Sequence, residues 1–124
     1  MNNLKTYCLC IHDELLEKVK KLNYIPVGLG EGNYKKGWLR DNTGKNISYK
    51  NKHYGEYSFH YWIWQNKMEI FNDKDWIGFC AYRRFWLKEN ELSNSKIEFK
   101  DKILTQVPEA WNDYNVILAN KIFD

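Results

Sequence analysis

The stretch TYCLCIHDELLEKVKKL, residues 6–22, contains the two patterns that decide the fold. Its first part, TYCLCI, is short and apolar, which predicts a buried β-strand. From His12 onward the apolar residues recur at helical spacing, with acidic residues near the start of the segment and lysines near its end. Charges in this order complement the helix dipole, so an amphipathic helix is predicted directly after the strand.

The rest of the chain alternates between strand-like and helix-like patterns. Predicted strands or extended pieces lie at 24–30, 76–82, 97–99 and 114–119, and predicted helices run from Ser48 or Asn51 to about Gln65 and, broken by Pro108, within 102–111. Pro26 argues against a central position in the sheet for 24–30. The helix that ends at Gln65 has rings on nearly every side, which predicts that it is buried all round. The alternation predicts an α/β fold with a mainly parallel sheet flanked by helices.

Composition limits the class of protein. The 124 residues suit one domain, 1–124, and the high aromatic content of 17% predicts that some rings line a cleft or a partner surface. A formal net charge of +3 suits an anionic ligand but is too weak for a DNA-binding footprint. No segment approaches the ~20 apolar residues of a membrane span, and no secretion signal opens the chain.

The three cysteines indicate a reducing cellular compartment. Cys8, Cys10 and Cys80 are odd in number and show no C-x-x-C spacing. They predict reduced, buried thiols in a cytoplasmic protein, and argue against a metal site or a disulfide.

Polar and basic residues follow each of three predicted strands. If the strands are parallel, these residues share the carboxyl edge of the sheet, where ligands of such folds bind. They are His12 and Asp13, Arg83 and Arg84, and Asn120 and Lys121. Arginine is well suited to phosphate binding, although neighbours on a strand face opposite ways, so at most one of the arginines points into a given cleft.

The loop DNTGKNISYKN, residues 41–51, is the most polar part of the chain. Its donors and acceptors suit sugar hydroxyls or a nucleoside, especially with rings nearby. The alternative is a tight turn, in which Gly44 adopts a positive φ, followed by a helix cap. The residue types alone do not decide between these interpretations.

Two carboxylate motifs have a structural and a catalytic interpretation. Glu56 and His60 are spaced i, i+4, so they form either a base with its orienting partner or a structural hydrogen bond inside an aromatic layer. Asp73 and Asp75 form a D-x-D, which binds divalent cations in many sugar-nucleotide transferases. This D-x-D precedes its strand, at the wrong edge of the sheet, so a turn is predicted.

The strings DNTGKNISYKNKHYGEYSFHYWIWQN and WIGFCAYRRFW, together with the opening strand that ends in His and the late YNVIL, carry a family resemblance. The chain resembles a bacterial domain of unknown function from capsular and cell-surface polysaccharide synthesis proteins, often described as glycosyltransferases. The resemblance covers about Tyr7 to Lys121. Many members have His or Gln at the position of Ala81, and their domains continue past the last strand, so a C-terminally truncated domain is expected.

The resemblance implies a GT-A-like, Rossmann-like fold with a nucleotide-sugar site at the carboxyl edge of the sheet. His12 would lie near the nucleotide, Tyr61 and Trp62 would shape the donor site, and Tyr82, Arg83 and Arg84 would face the diphosphate or acceptor. The loop residues that would border the site are Asp41, Asn42, Thr43, Gly44, Asn46 and Ser48. Glu56 is the candidate catalytic base. The implied cofactor is Mg²⁺ or Mn²⁺, with no ligand residue assigned.

The expected function is transfer of a hexose from a nucleoside diphosphate sugar to a surface polysaccharide or lipid-linked glycan. The expected location is the cytoplasm, at the inner face of the membrane, with peripheral association through partners and no nucleic acid bound. Two alternatives remain open: a non-catalytic module that binds carbohydrate or nucleic acid through its aromatic residues, and an inactive truncated fragment. Steep salt dependence would mark the nucleic-acid alternative.

Overall fold

A computed structural model describes residues 3–88, 96 and 98–119. Its centre is a four-stranded sheet in the order β3-β2-β1-β4, and every neighbouring pair of strands is parallel. The strands are β1 (Leu4–Cys10), β2 (Ile25–Gly28), β3 (Leu39–Arg40) and β4 (Trp76–Ala81). This open parallel sheet with flanking helices confirms the predicted α/β, Rossmann-like fold class.

The helices are short. They are α1 (Leu16–Lys21), α2 (Asn51–Tyr54), α3 (Tyr57–Asn66) and α4 (Phe99–Lys102), and single turns of 3₁₀ helix occupy Asp13–Leu15, Ser48–Lys50, Met68–Ile70 and Glu109–Asp113. No helix among the described residues is long and apolar enough to cross a membrane.

Alternate side chains of β1 build the two halves of the core, since successive residues of a strand face opposite sides of the sheet. Cys8 and Cys10 pack with α1, in a cluster that includes Leu16 and Val19. Tyr7 and Leu9 face the other side and pack in the cluster that contains Phe59, Trp62 and Ile63 of α3. The sheet is therefore covered on both faces, as a parallel sheet requires.

The three cysteines are free thiols; Cys8 and Cys10 are completely buried, as predicted, whereas Cys80 is only partly buried because β4 is the edge strand. A hydrogen bond with Cys10 lowers the pKa of Cys8, but a hydrogen bond with Cys80 and burial outweigh it and raise that pKa to about 12. A thiol with so high a pKa stays protonated at neutral pH and is a poor nucleophile.

The predicted long helix is interrupted, and its outer face is not buried. Gly55 has φ 55° and separates α2 from α3. Neither Ser48 nor Asn51 caps a helix end through its side chain. Tyr57 and Trp64 of α3 are exposed, so the expectation of burial on all sides is wrong. The sheet offers α3 only one packing surface, and rings on the opposite face have nothing among the described residues to cover them.

Pro26 occupies an interior strand, contrary to expectation. It is in register with Cys8 of β1, whereas β3 pairs only with Val27 and Gly28. Because β3 is two residues long, it does not extend beside Pro26, and the missing N–H of the proline removes no bond between β2 and β3.

The C-terminal part differs most from its prediction. Residues 114–119 form no strand, because they lie beside the free edge of β4 without pairing to it. Phe99 begins α4 and ends no strand, and the helix expected within 102–111 is replaced by a 3₁₀ turn that begins after Pro108. Alternating apolar residues favour a strand but cannot supply the partner that a strand needs. Ile97, Asn120 and Lys121 lie outside the described residues.

The buried carboxylate of Asp41, directly after β3, joins three parts of the chain. Its Oδ1 accepts hydrogen bonds from the Gly30 amide and the Ser48 hydroxyl, each at 3.0 Å. Its Oδ2 accepts from the Ser58 hydroxyl of α3 at 2.5 Å. Asp41 has no exposed surface. A buried carboxylate is stable only when donors replace its lost hydration, and here three donors do so.

Replacing Asp41 with alanine should lower the free energy of unfolding by about 3 kcal/mol, because three buried donors would lose their acceptor. Urea denaturation measures the change. Asp73→Ala is the matched control, since Asp73 is exposed in a turn, and its effect should stay within about 0.5 kcal/mol. Equal effects of the two substitutions would contradict the structural importance of the Asp41 carboxylate.

Candidate functional site

The sheet topology singles out one point on its edge. From β1 the chain continues outward through β2 to β3, and it then returns to place β4 on the other side of β1. In open parallel sheets, ligands bind at the carboxyl ends of the strands where the order reverses in this way. Here that point lies between the ends of β1 and β4, at Cys10 and Ala81.

Three of the predicted site residues meet at this point. The rings of His12 and Tyr82 contact each other edge to face, with centroids 5.0 Å apart. The guanidinium of Arg83 lies 5.0 Å from the Tyr82 ring and donates a 2.8 Å hydrogen bond to its hydroxyl. Neither His12 nor Arg83 is buried, so both remain accessible to a ligand. We call His12, Tyr82 and Arg83 the switch-point cluster.

Arg84 is placed differently from Arg83. Its backbone amide donates to the Ala81 carbonyl at 3.0 Å, in a turn that reverses the chain after β4. Its side chain is exposed and is not part of the ring contacts that fix Arg83. Of the two predicted arginines, the structure therefore orients Arg83 within the cluster.

A groove of about 350 Å³ lies at the same edge, beside the ends of β1 and β2. Its lining combines residues 29–34, which follow β2, with residues 48–52 and the apolar Ile11 after β1. The lining residues are Ile11, Leu29, Gly30, Glu31, Gly32, Tyr34, Ser48, Tyr49, Asn51 and Lys52. Tyr49 is 57% exposed, so its ring face is available to stack against a planar ligand.

Tyr34 lines this groove, and Arg40 packs against the Tyr34 ring. The Tyr34 hydroxyl donates to the Leu29 carbonyl at 2.8 Å, and burial raises the pKa of Tyr34, so the hydroxyl keeps its proton. The Arg40 guanidinium lies 4.2 Å from the Tyr34 ring, and its Nε donates to the Gly28 carbonyl at 2.9 Å. Neither residue was predicted from the sequence; the two-residue β3 that positions Arg40 is too short to show a strand pattern.

Asp13 also acts structurally. Its Oδ1 accepts from the Lys35 amide at 2.8 Å and from Trp38 Nε1 at 2.9 Å. These bonds hold the segment after β2 against the end of β1, and so fix one side of the groove.

Several hydrogen-bonding groups of the polar loop after β3 bond to side chains of α3. Trp62 Nε1 donates to the Thr43 carbonyl at 2.9 Å, and Asn66 bonds to both the amide and the carbonyl of Lys45. Gly44 has a positive φ of 54°, the side-chain amide of Asn46 donates to the Gly44 carbonyl, and Asn42 is exposed. The tight-turn interpretation therefore describes this loop, although the predicted cap does not form.

Of the other predicted residues, few reach the groove. Of the six loop residues predicted for the site, Asp41, Asn42, Thr43, Gly44, Asn46 and Ser48, only Ser48 lines it. Trp62 is buried in the core, and Tyr61 contacts Trp64, whose ring is exposed on the outer side of α3. Asp41, Trp62 and Tyr61 are therefore not gathered with the switch-point cluster.

Glu56 and His60 do not form the close pair that catalysis would need. Glu56 is exposed before the first turn of α3 and does not line the groove. The His60 ring packs 4.4 Å from the Phe79 ring, and its Nε2 is buried without a hydrogen-bond partner in the described chain. Desolvation lowers the pKa of His60, while the charge of Glu56 acts in the opposite direction. His60 therefore lies in an aromatic layer, as the structural interpretation predicted, but the predicted hydrogen bond between Glu56 and His60 does not form.

No three His, Cys, Asp or Glu side chains within residues 3–88, 96 and 98–119 come together as a group that could hold a metal ion. The residues of the D-x-D form the predicted turn at the amino edge of the sheet. Asp75 Oδ2 accepts from the Asn72 amide at 2.9 Å, and the Asp75 amide donates to the Asn72 carbonyl. The described residues thus offer no three-ligand site for the implied Mg²⁺ or Mn²⁺.

A larger groove of about 900 Å³ lies along the free edge of β4. It is lined by β4, by the turn before it and by residues 111–118, and it contains no predicted site residue. We place the candidate site at the smaller groove, because it lies at the carboxyl edge and its lining residue Ile11 directly precedes His12 of the switch-point cluster, although His12, Tyr82 and Arg83 do not themselves line it.

The burial of His60 predicts a dependence of stability on pH. Because its pKa is lowered on folding, the unfolded chain binds the proton more readily, and stability should fall as pH decreases through 6.5, the ordinary value. His60→Phe should make this fall shallower in urea denaturation between about pH 7.5 and pH 5.5. His53→Phe, at an exposed position, should keep the wild-type dependence. Identical pH profiles for the wild type and His60→Phe would contradict the prediction.

Comparison with known proteins gives the family alone. No curated protein and no solved structure matched the chain. The family model described as Domain of unknown function (DUF4422) matches residues 6–123, which is nearly the whole sequence. The chain therefore belongs to this family, Domain of unknown function (DUF4422).

Proposed function

We propose that this chain is the nucleotide-sugar-binding part of a glycosyltransferase. The transferase would move a hexose from a nucleoside diphosphate sugar to a surface polysaccharide or lipid-linked glycan, at the inner face of the membrane. The observation that carries the proposal is the switch-point cluster, in which a histidine, a tyrosine and an arginine meet at the carboxyl edge of a parallel sheet. The motif resemblance described above supports the choice of ligand class.

Each member of the cluster has a distinct part in this proposal. The Arg83 guanidinium offers planar, paired donors to the diphosphate and offsets the negative charge that develops as the diphosphate leaves. Its contact with Tyr82 holds the guanidinium in place, so little side-chain entropy is lost on binding. The ring of His12, held edge to face by Tyr82, contributes a polar face beside the nucleotide.

The adjoining groove suits the planar part of the donor. The exposed ring of Tyr49 provides a stacking surface, and Gly30 and Gly32 line the groove beside it. Lys52 and Glu31 add one charge of each sign to the same groove.

The loop from Asp41 to Ser48 acts mainly as support in this account. Its contacts with α3 and Gly30 fix one side of the groove, and Ser48 is the member that lines it. The proposal assigns no metal ligand to the described residues. The role of Glu56 as catalytic base stays a prediction. It would require the acceptor to bind beside the start of α3.

The proposal predicts saturable binding of a nucleoside diphosphate. Tryptophan fluorescence should follow the titration of the protein with UDP, GDP and their sugars, with and without Mn²⁺. Arg83→Ala should weaken binding about tenfold, because it removes charge-assisted hydrogen bonds to the diphosphate.

Lys74→Ala is the matched control, since it removes the same charge from an exposed position at the amino edge of the sheet. It should leave the dissociation constant nearly unchanged. The absence of saturable binding by folded protein, or an equal loss in both variants, would overturn the proposed site.

A further inference from the structure

The outer face of α3 carries an exposed aromatic and apolar stripe. Tyr57, Tyr61, Trp64 and Met68 follow one another at intervals of four, three and four residues, which places them on one side of a helix and its continuation. Tyr57 is 68% exposed and Trp64 is 63% exposed. The opposite side of α3 is buried through Phe59, Trp62 and Ile63.

Neighbouring residues extend this stripe into a patch. Tyr54 on α2 and Ile70 in the turn after α3 are also exposed, and the rings of Tyr61 and Trp64 contact each other at 6.0 Å. Contiguous exposed rings are costly in water, and patches of this kind on folded proteins mark surfaces that bind something apolar. We call Tyr54, Tyr57, Tyr61, Trp64, Met68 and Ile70 the α3 outer patch.

The charges around this patch are predominantly positive. Between Lys45 and Ile70 the chain has four lysines and two glutamates, Glu56 and Glu69. The Lys50 ammonium lies 5.8 Å from the Tyr54 ring of the patch, whereas the Lys67 ammonium lies 5.9 Å from the ring of the buried Trp62. Lys50 therefore lies beside a ring of the patch, where its stem can cover apolar surface while its charge stays in water.

This combination of residues distinguishes between two kinds of partner. The cores of protein interfaces favour tyrosine, tryptophan and methionine but are depleted in lysine. Tyrosine and tryptophan together with lysine are typical of the boundary between water and lipid, where rings lie at the level of the headgroups and lysines attract anionic lipids.

We propose that the α3 outer patch binds directly and peripherally to an anionic lipid bilayer. The rings insert at the headgroup level, and the surrounding lysines contact the lipid phosphates. The proposal does not depend on the function proposed above, because it concerns the opposite side of α3 from the sheet and needs no nucleotide.

Flotation with lipid vesicles tests this proposal. The wild type should float with phosphatidylcholine vesicles that contain about 30% phosphatidylglycerol and much less with pure phosphatidylcholine, and added salt should weaken binding. The double variant Tyr57→Ser/Trp64→Ser should bind the anionic vesicles about tenfold more weakly, because two inserted rings are lost.

Tyr114→Ser is the matched control, since Tyr114 is 62% exposed and lies outside the patch. It should float as the wild type does, and urea denaturation should show that all variants remain folded. The proposal is overturned if the wild type does not float with anionic vesicles, or if the double variant floats equally well. It is also overturned if Tyr114→Ser loses as much vesicle binding as the double variant. A double variant that loses self-association in ultracentrifugation but keeps its vesicle binding would overturn it too.

Discussion

The burial of one carboxylate constrains the arrangement around the sheet edge. Asp41 has no exposed surface, and its two oxygens are satisfied by donors from the turn after β2, from the 3₁₀ turn before α2 and from α3. Each donor must stay in place because an unsatisfied buried charge is far more costly than a lost surface contact. The carboxylate thereby fixes α3 relative to the end of β2, and with it one side of the groove.

This constraint changes the meaning of the polar loop. Residues rich in oxygen and nitrogen look like ligand groups in a sequence, but Asp41, Thr43 and Lys45 use theirs to hold α3. At the carboxyl edge, the His12 ring and the Arg83 guanidinium are instead accessible to solvent, and Tyr34 and Tyr49 line the groove at the same edge. The family of the chain is shown by its sequence, whereas its chemistry has to be argued from these residues.

Local sequence patterns were enough to predict the elements that pack against neighbours in the fold. The first strand and helix and the strand of residues 76–81 were predicted because their apolar spacing matches the sides they bury. From the parallel arrangement it followed that His12 and Arg83 share an edge, and they do.

Features that depend on distant partners could not be predicted. The two residues of β3 are a strand only because Val27 and Gly28 lie beside them, and residues 114–119 have a strand-like pattern without a paired neighbour. The rings of α3 are alike in sequence, and only the position of the sheet decides that Phe59 is buried and Trp64 is exposed. Arg40 was missed for the same reason, since β3 brings it to the Tyr34 ring and the Gly28 carbonyl.

A chemical-shift map would show whether the carboxyl edge at the β1–β4 switch point is the ligand-binding site. Isotope-labelled protein would be titrated with UDP and GDP while backbone amide and histidine ring signals are followed. We expect the shifts to concentrate at residues 11–13, 29–34 and 82–84, with the His12 ring among the largest. Shifts concentrated along the free edge of β4 and residues 111–118 would contradict it, as would no shift at saturating nucleotide.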